Sequence, residues 1–269
     1  MSHAPNADAI RRMLTGPASA LTIDCRDSVT STNTLLREAA DKGAAEGLVL
    51  IASEQSAGRG RLGRSFHSPA GTGLYLSLLL RPRLGFEHSV KITTAASVAM
   101  CGALEAVSGA KAQIKWVNDI LLGGLKVCGI LTEASLKPGT AELDYAILGA
   151  GVNISPPEGG FPDELNGIAG AVFPEPAAQA RESVAAEFLN RFMPLYSALP
   201  ATDYAEEYVR RSAVIGREIN VITPSGTRAA LALGMDEDFR LIVRWDDGGT
   251  ETLNSGEISI RLQHSDRRL

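Results

Sequence analysis

The chain has 269 residues, of which 45% are hydrophobic and 21% charged, and its formal net charge is −5. This composition is typical of a globular protein, and the negative charge excludes a diffuse attraction to nucleic-acid backbones or anionic membranes. Three widely spaced cysteines match no disulfide or metal-site spacing, and no apolar run reaches the roughly 18 residues of a membrane helix, which favours a reduced, cytoplasmic location.

The N-terminal part of the chain mixes helix-type and strand-type patterns without strict strand–helix–strand alternation. Such a pattern predicts an α+β domain in which helices flank a mixed sheet. In chain order we expect a helix at 7–14, a strand at 21–25, a helix at 34–42, strands at 47–54 and 74–80, a long helix capped by Ser89 and ended by Gly109, strands at 114–116, 120–122, 125–134 and 145–154, and helices at 183–199 and 202–211. A Gly-Gly pair at 123–124 predicts a tight hairpin.

The sequence pattern changes after Ser212. Five short strand patterns follow at roughly nine-residue intervals, separated by Gly, Asp and Ser turns, which predicts a small β-barrel. The expected strands lie at 218–223, 227–235, 241–245, 250–254 and 258–262. We therefore divide the chain into residues 1–213 and residues 214–269.

Residues 58–64, Gly-Arg-Gly-Arg-Leu-Gly-Arg, form the sharpest local feature and are called the Gly/Arg loop below. The spacing satisfies the G-x-G-x-x-G dinucleotide fingerprint, but that site needs a helix starting within the glycines. Pro69, Gly71 and Gly73 follow instead, so no such helix is expected. Glycines allow close approach of a ligand and guanidinium groups bind phosphate or carboxylate, so this loop predicts an anion site. We expect it to order over its ligand.

Four further segments place polar or small residues where strands or helices begin or end. Three of them have a structural alternative: a helix cap for the first, an Asn-Asp turn for the second, a solvated edge lysine for the third. Gly129 within an apolar strand is less easily explained unless a ligand comes close. The segments are Ser31-Thr32-Asn33, Lys115-Trp116-Val117-Asn118-Asp119, Lys126-Val127-Cys128-Gly129-Ile130-Leu131 and Gly149-Ala150-Gly151-Val152-Asn153.

Taken together and in this order, the Gly/Arg loop and the four segments closely resemble the biotin–protein ligase family. The resemblance extends from about Asp27 to Arg261, where Gly-Glu-Ile-Ser-Ile-Arg at 256–261 is similar to the family's C-terminal signature. It implies a catalytic domain related to class II aminoacyl-tRNA synthetases, followed by an SH3-like barrel. It also implies an enzyme that uses ATP and Mg²⁺ to form biotinyl-5'-AMP and transfers biotin to a lysine of a biotin carboxyl carrier protein.

The resemblance also implies roles for individual residues. Biotin would be bound by Ser31, Thr32, Asn33, Gln55, Arg59, Gly60, Arg61, Lys126 and Gly129. ATP would be bound by Arg61, Arg64, Phe66, Lys115, Asn118, Asn153 and Arg261. Arg61 and Lys126 would act on the reacting carboxylate and α-phosphate, and Asp119 would orient or deprotonate the acceptor lysine.

Two positions depart from the family pattern. Val117 stands where many members have Pro, and Phe66 stands where some have a Trp that stacks on adenine. Because the catalytic motifs begin near Asp27, we expect a monofunctional ligase without the N-terminal DNA-binding domain of bifunctional members, and no DNA partner.

Two alternatives remain at this point, and the oligomeric state stays open, with a homodimer compatible with the sequence. A lipoate–protein ligase or an octanoyl or lipoyl transferase would have the same catalytic fold; the tandem arginines and the C-terminal barrel favour biotin. A ligand-binding or nucleic-acid-binding module using the barrel is disfavoured by the acidic charge.

Overall fold

A computed structural model of the chain describes residues 4–223 and 226–254, together with the backbone of 259–262. The helices are α1 (Ala7–Met13), α2 (Thr32–Asp41), α3 (Ser89–Ser108), α4 (Ala180–Ala198) and α5 (Ala205–Arg210). The strands are β1 (Thr22–Val29), β2 (Leu48–Gln55), β3 (Gly73–Leu80), β4 (Ala112–Lys115), β5 (Asp119–Leu122), β6 (Leu125–Leu136), β7 (Leu143–Asn153), β8 (Glu218–Thr223), β9 (Gly226–Met235), β10 (Leu241–Trp245), β11 (Thr250–Leu253) and β12 (Ser259–Leu262).

Seven strands form one sheet in the order β1-β2-β3-β7-β6-β5-β4. The pair β1–β2 is parallel and the other pairs are antiparallel, so the sheet is mixed, as predicted. Alternate residues of its strands point to opposite faces. One face packs against α1, α3 and α4 in the main hydrophobic core, and α2 covers part of the other face in a smaller cluster with Leu79 and Ile147.

Helix α3 is the longest helix of the main core. It ends at Gly109, whose φ of 71° is the left-handed conformation that closes many helices. The expected cap at Ser89 is wrong: a short 3₁₀ turn, Phe86–His88, runs directly into the helix, so His88 takes the cap position and Ser89 is the first helical residue. By length and composition Phe86–Ser108 could cross a membrane, but 61% of its apolar stretch is buried in the fold, as in a core helix.

The five strands predicted at the C-terminus form an antiparallel sheet in the order β11-β10-β9-β8-β12, which matches the expected SH3-like barrel. Inward side chains of β8 to β11 form a separate hydrophobic cluster that also contains Trp116 and Val117 of the first part of the chain. The hairpin turn between β5 and β6 is confirmed: Gly123 and Gly124 have φ values of 56° and 83°, which side-chain-bearing residues rarely adopt. The division after residue 213 stays a prediction.

Candidate active site

Two adjoining pockets open on the part of the sheet face that α2 leaves uncovered. The polar pocket is lined by Ser31, Thr32, Asn33, Gln55, Arg59, Phe66, Tyr75, Leu76, Gly129, Leu131, Gly149, Ala150 and Gly151. The charged pocket is lined by Arg59, Gly60, Arg61, Arg64, Ser65, Phe66, Lys115, Trp116, Asn118, Asp119, Lys126, Gly129, Ile130 and Leu131. Every predicted site residue except Asn153 and Arg261 therefore lies in one or both pockets.

A chain of hydrogen bonds fixes the polar groups at the start of α2. The Ser31 side chain caps the helix, and Thr32 donates from its backbone N–H and its hydroxyl to Gln55 Oε1, at 2.9 and 3.1 Å. Ser77 Oγ lies 2.7 Å from Thr32 Oγ1 and 2.6 Å from Asn33 Oδ1. These residues are therefore both a helix start and a preorganised polar surface, so the cap alternative and the ligand alternative are compatible.

Glycines form the floor of the polar pocket. In the register of β6 and β7, Gly129 faces Gly151 and Leu131 faces Gly149, so small residues of both strands share the open face. A Cβ at Gly149 would lie 2.2 Å from Asn33 Oδ1, and one at Gly151 would lie 2.7 Å from Phe66 Cε1. The absence of these two Cβ atoms lets Asn33 and Phe66 lie directly on the sheet.

Asp119 is the centre of the charged pocket. Its Oδ1 lies 2.7 Å from Lys126 Nζ and its Oδ2 lies 3.6 Å from Lys115 Nζ. Burial lowers the pKa of Lys115, and the attraction of Asp119 opposes this shift. The single carboxylate between two lysines leaves this cluster with a net positive charge toward an anionic ligand.

A β-bulge brings Lys126 to this cluster. Ile120 pairs with Cys128 but Leu121 pairs with Lys126, so β6 has one extra residue there. In a regular ladder, alternation would place Lys126 on the face opposite Gly129; the bulge places both on the open face. A solvated lysine at a strand edge would not require a bulge. This geometry therefore favours the interpretation that Lys126 contacts a ligand.

The Gly/Arg loop folds over the charged pocket as a tight turn. Gly60 N–H donates to Arg64 O at 2.7 Å, and Arg61 Nη1 donates to Asn118 Oδ1 at 3.0 Å. Asn118 is itself fixed by Nδ2 donating to Ile130 O at 2.7 Å. Burial lowers the pKa of Arg61. The loop contains a three-residue 3₁₀ turn, Arg61–Gly63, and no α-helix starts within it, which confirms that it is not a dinucleotide fingerprint.

Phe66 lies where three pockets meet. The third pocket, a cavity of about 400 Å³, is lined by Gln55, Ser56, Ala57, Gly58, Ser65, Phe66, His67, Ser68, Lys126, Asn153, Phe161, Pro162, Glu164, Leu165, Ile168 and Ala169. It contains Asn153, whose Nδ2 donates to Gly170 O at 2.9 Å. Arg261 is on β12, paired with Asn220, and its side chain lies outside the described residues.

The turn between β4 and β5 is attached to the barrel. Trp116 Nε1 donates to the carbonyl of Phe239, in the β9–β10 turn, at 2.8 Å, and Tyr208 Oη donates to Val117 O at 3.0 Å. The Trp116–Val117 peptide bond is cis. The segment that carries Asn118 and Asp119 is therefore fixed by hydrogen bonds to Phe239 and Tyr208, which line neither pocket.

Besides the pocket-lining residues Ser65, Tyr75 and Leu76, two further residues that contact the site were not identified from the sequence. Glu133 lies two alternations after Gly129 on β6, and its carboxylate contacts Arg59 and Asn33. Ser77 is a fully buried hydroxyl within the apolar strand β3. The signals were present, because Glu133 continues the period of two from Gly129 and Ser77 interrupts an apolar run.

Comparison with known proteins identifies the family to which this sequence is similar. The family model described as "Biotin/lipoate A/B protein ligase family" matches residues 25–153, and the model "Biotin protein ligase C terminal domain" matches residues 214–261. Two curated relatives are named biotin–[acetyl-CoA-carboxylase] ligase. The one from Paracoccus denitrificans is 32% identical over 78% of this chain and 88% of its own length, and the one from Mycobacterium tuberculosis is 32% identical over 85% of each chain.

Two further comparisons extend the likeness. The bifunctional ligase/repressor of Bacillus subtilis is 32% identical over 82% of this chain and 69% of its own length. The structure of a biotin protein ligase from Aquifex aeolicus in complex with biotin and ATP has a TM-score of 0.74 and 25% identity, and covers 90% of this chain and 99% of that one. The sequence similarity and the shared fold together show that this chain is an enzyme of the biotin protein ligase family.

Proposed function

We propose that the protein condenses biotin with ATP to form biotinyl-5'-AMP and pyrophosphate, and then transfers biotin to a lysine of a biotin carboxyl carrier protein. The observation that carries this proposal is the meeting of three different pockets at Phe66, with Lys126 lining the charged pocket and the third pocket. A polar pocket, a cationic pocket and a larger cavity match the three parts of such an adenylate: a polar ring system, a phosphate junction and a nucleoside.

The polar pocket would bind the biotin ring system. Ser31, Thr32, Asn33 and Gln55 present hydroxyl and amide groups whose orientations are set by hydrogen bonds within the protein. Preorganised donors and acceptors lower the ordering cost of binding and discriminate against ligands that leave them unpaired. The glycine at 129 leaves space for the biotin tail to run toward Lys126.

The charged pocket would promote the first reaction. A carboxylate oxygen of biotin attacks the α-phosphorus of ATP, the bond from that phosphorus to the bridging oxygen breaks, and pyrophosphate leaves. Two unit charges 4 Å apart repel by roughly 4 kcal/mol at an effective dielectric constant of 20, against about 1 kcal/mol in bulk water. Arg61 and Lys126 would offset this repulsion and stabilise the negative charge on the α-phosphoryl oxygens in the transition state. Arg59 and Gly60 would complete the wall around the reacting carboxylate.

The third pocket would bind the nucleoside. Phe66 offers a ring for stacking and Asn153 an amide, and Lys126 also lines this pocket. Arg64, Lys115 and Asn118 would face the phosphates from the charged pocket. Arg261, on the last strand of the barrel, would reach the nucleotide from the second part of the chain.

Magnesium would arrive with ATP. Among the residues that the structure describes there is no group of three metal-ligating side chains, and both carboxylate oxygens of Asp119 face lysines. This donor set does not fit a protein-held cation, and Mg²⁺ commonly binds through substrate phosphates with few protein ligands. No step proposed here depends on a metal ion held by the protein.

In the second reaction a lysine amine of the carrier attacks the carbonyl carbon of the mixed anhydride, and AMP leaves as the amide forms. The attacking amine must be neutral, and Asp119 is the carboxylate of the charged pocket that would orient it or accept its proton. We propose that the protein is cytoplasmic, because its three cysteines are free and reduced thiols are typical of that compartment.

The substrate assignment is tested with purified protein, ATP, Mg²⁺ and a carrier domain of a biotin-dependent carboxylase. We expect pyrophosphate release that depends on biotin, and a carrier whose mass increases by one biotin. The matching family model also covers lipoate ligases, so lipoate and octanoate are tested in parallel. Release with either of these and none with biotin would contradict the proposal.

A further inference from the structure

Glu133 contacts both the Gly/Arg loop and the polar pocket. Its Oε1 lies 2.8 Å from Arg59 Nη2, and its Oε2 accepts a hydrogen bond from Asn33 Nδ2 at 2.8 Å. Each oxygen of one carboxylate therefore contacts a different part of the site, one on the loop and one at the start of α2. This residue has no role in the reaction proposed above.

The side chain is placed for this contact by the strand that carries it. On β6, Gly129, Leu131 and Glu133 follow one another on the open face, and the first two line both pockets. Thr132, on the opposite face, bonds Thr93 of α3 at 2.7 Å, so the strand is anchored to the core on its other side. The position of Glu133 is therefore fixed by β6, and the Gly/Arg loop can bind to its carboxylate.

Asn33 depends on this carboxylate for its orientation. Its Oδ1 accepts from Ser77 Oγ and its Nδ2 donates to Glu133, so the amide cannot rotate without breaking both hydrogen bonds. Arg59 is the residue of the Gly/Arg loop that lines both pockets. One negative charge consequently sets the position of the loop and the direction of a polar-pocket amide.

We propose that Glu133 is a positioning residue that attaches the Gly/Arg loop to the polar pocket, so that loop closure and biotin recognition are coupled through one carboxylate. The coupling to biotin rests on the function proposed above. The attachment of the loop does not, because it is a contact within the protein. The two parts can therefore be tested separately.

The variant Glu133→Gln keeps the size of the side chain and removes its charge. The amide oxygen can still accept from Asn33, but the amide nitrogen then faces the guanidinium of Arg59, donor against donor. The pair is partly exposed, with 42% of the Arg59 and 24% of the Glu133 side chain accessible. For such a pair we expect the equilibrium constant for loop closure to fall about three- to tenfold. This change converts to roughly 0.6–1.4 kcal/mol.

The first measurement is limited trypsin digestion without ligand, with mass spectrometry of cuts after Arg59, Arg61 and Arg64. We expect Glu133→Gln to be cut in this loop about three to ten times faster than the wild type, with an unchanged melting temperature. The matched control is Glu142→Gln, which removes the same charge from an exposed pair with Lys137 and should leave loop cleavage unchanged. Equal cleavage of Glu133→Gln and the wild type overturns the attachment.

The second measurement is steady-state pyrophosphate release at varied biotin. We expect the KM for biotin to rise about three- to tenfold in Glu133→Gln while kcat stays within about twofold, because Glu133 does not touch the reacting atoms. Faster loop cleavage with an unchanged KM overturns the coupling to biotin. A wild-type protein that releases no pyrophosphate with biotin contradicts the proposed function instead, and the digestion result is independent of it.

Discussion

The two faces of the seven-stranded sheet differ in what their side chains do. On β7, Leu148, Ala150 and Val152 point into the main core beneath α3 and α4. The residues that alternate with them point the other way: Ile147 packs under α2, and Gly149 and Gly151 form the floor of the polar pocket. Neighbouring residues of one strand therefore serve the fold and the site in turn.

A second difference lies within the open face itself. Where α2 covers it, the facing positions of β3 and β7 are Leu79 and Ile147; two residues further along they are Ser77 and Gly149. The change from apolar to small or polar side chains marks the edge of the pocket. The general lesson is that a site on a sheet can be recognised where the alternation continues but the chemistry of one face changes.

The largest expected effect is on the core face. Leu148→Ala removes a fully buried side chain and should reduce the free energy of unfolding by about 2–5 kcal/mol. The KM for biotin of the protein that remains folded should be unchanged, since Leu148 does not line the pockets. Urea unfolding and pyrophosphate kinetics on the same sample check both statements. A loss of less than about 1 kcal/mol would contradict the assignment of faces.

The next effect is on the open face and reverses this pattern. Lys126→Ala should slow biotinyl-adenylate formation by about 10²–10³-fold, the range found for removing one preorganised group that stabilises transition-state charge. The melting temperature should hardly change, because partly exposed ion pairs contribute little to stability. Lys137→Ala removes a lysine from an exposed pair beyond the site and is the control. Unchanged pyrophosphate release in a folded Lys126→Ala protein would show that Lys126 is only a solvated lysine at a strand edge.

A smaller effect is expected for Gly149→Ala, one residue from Leu148 and on the opposite face. The added Cβ would lie 2.2 Å from Asn33 Oδ1, so Asn33 must leave its hydrogen bonds. Biotin would then lose its hydrogen bonds to Asn33, and a buried polar group left unpaired costs about 1–3 kcal/mol, which corresponds to roughly 5- to 150-fold weaker biotin binding by calorimetry. The KM for ATP should stay within about twofold. Wild-type biotin affinity in this variant would show that the glycine floor is not part of the biotin site.

The mildest test uses the wild-type cysteines, all on the core side. Burial raises the pKa of Cys25 to about 11 and that of Cys101 to about 12, and it also raises the pKa of Cys128. A raised thiol pKa means that the reactive thiolate is scarce below it, so at pH 8 labelling should be slow at Cys25 and absent at the two buried cysteines until urea is added. Labelling at Cys128, next to Gly129, in the folded state would contradict the assignment of faces.

The sequence was sufficient to predict most of the elements because their signals are local. Period-two and period-3.6 patterns located the strands and the long helix, and Gly109 marked the helix end. The cap at Ser89 failed because a 3₁₀ turn of ordinary composition precedes the helix, and no propensity identifies such a turn in advance. The first strand was predicted to end at Cys25 but continues to Val29, where polar residues pair with β2.

The predicted site residues came from a resemblance between motifs, and the physics that joins them could not be predicted from spacing. The bulge that turns Lys126 to the open face depends on the register between β5 and β6. The role of Glu133 requires knowing that Arg59 and Asn33 lie beside it, 74 and 100 residues away in sequence. Such contacts are set by tertiary packing, which period and composition do not encode.

The hydrophobic cluster of the barrel includes Trp116 and Val117, which belong to the turn before Asn118 and Asp119. Side chains from both parts of the chain therefore form one hydrophobic cluster. Because of this common cluster, the two parts should unfold in one cooperative transition. A chain that ended at residue 213 would expose this indole and leave its N–H without the carbonyl of Phe239. Substitutions in the hydrophobic cluster of the barrel should therefore also disturb the turn that carries Asn118 and Asp119.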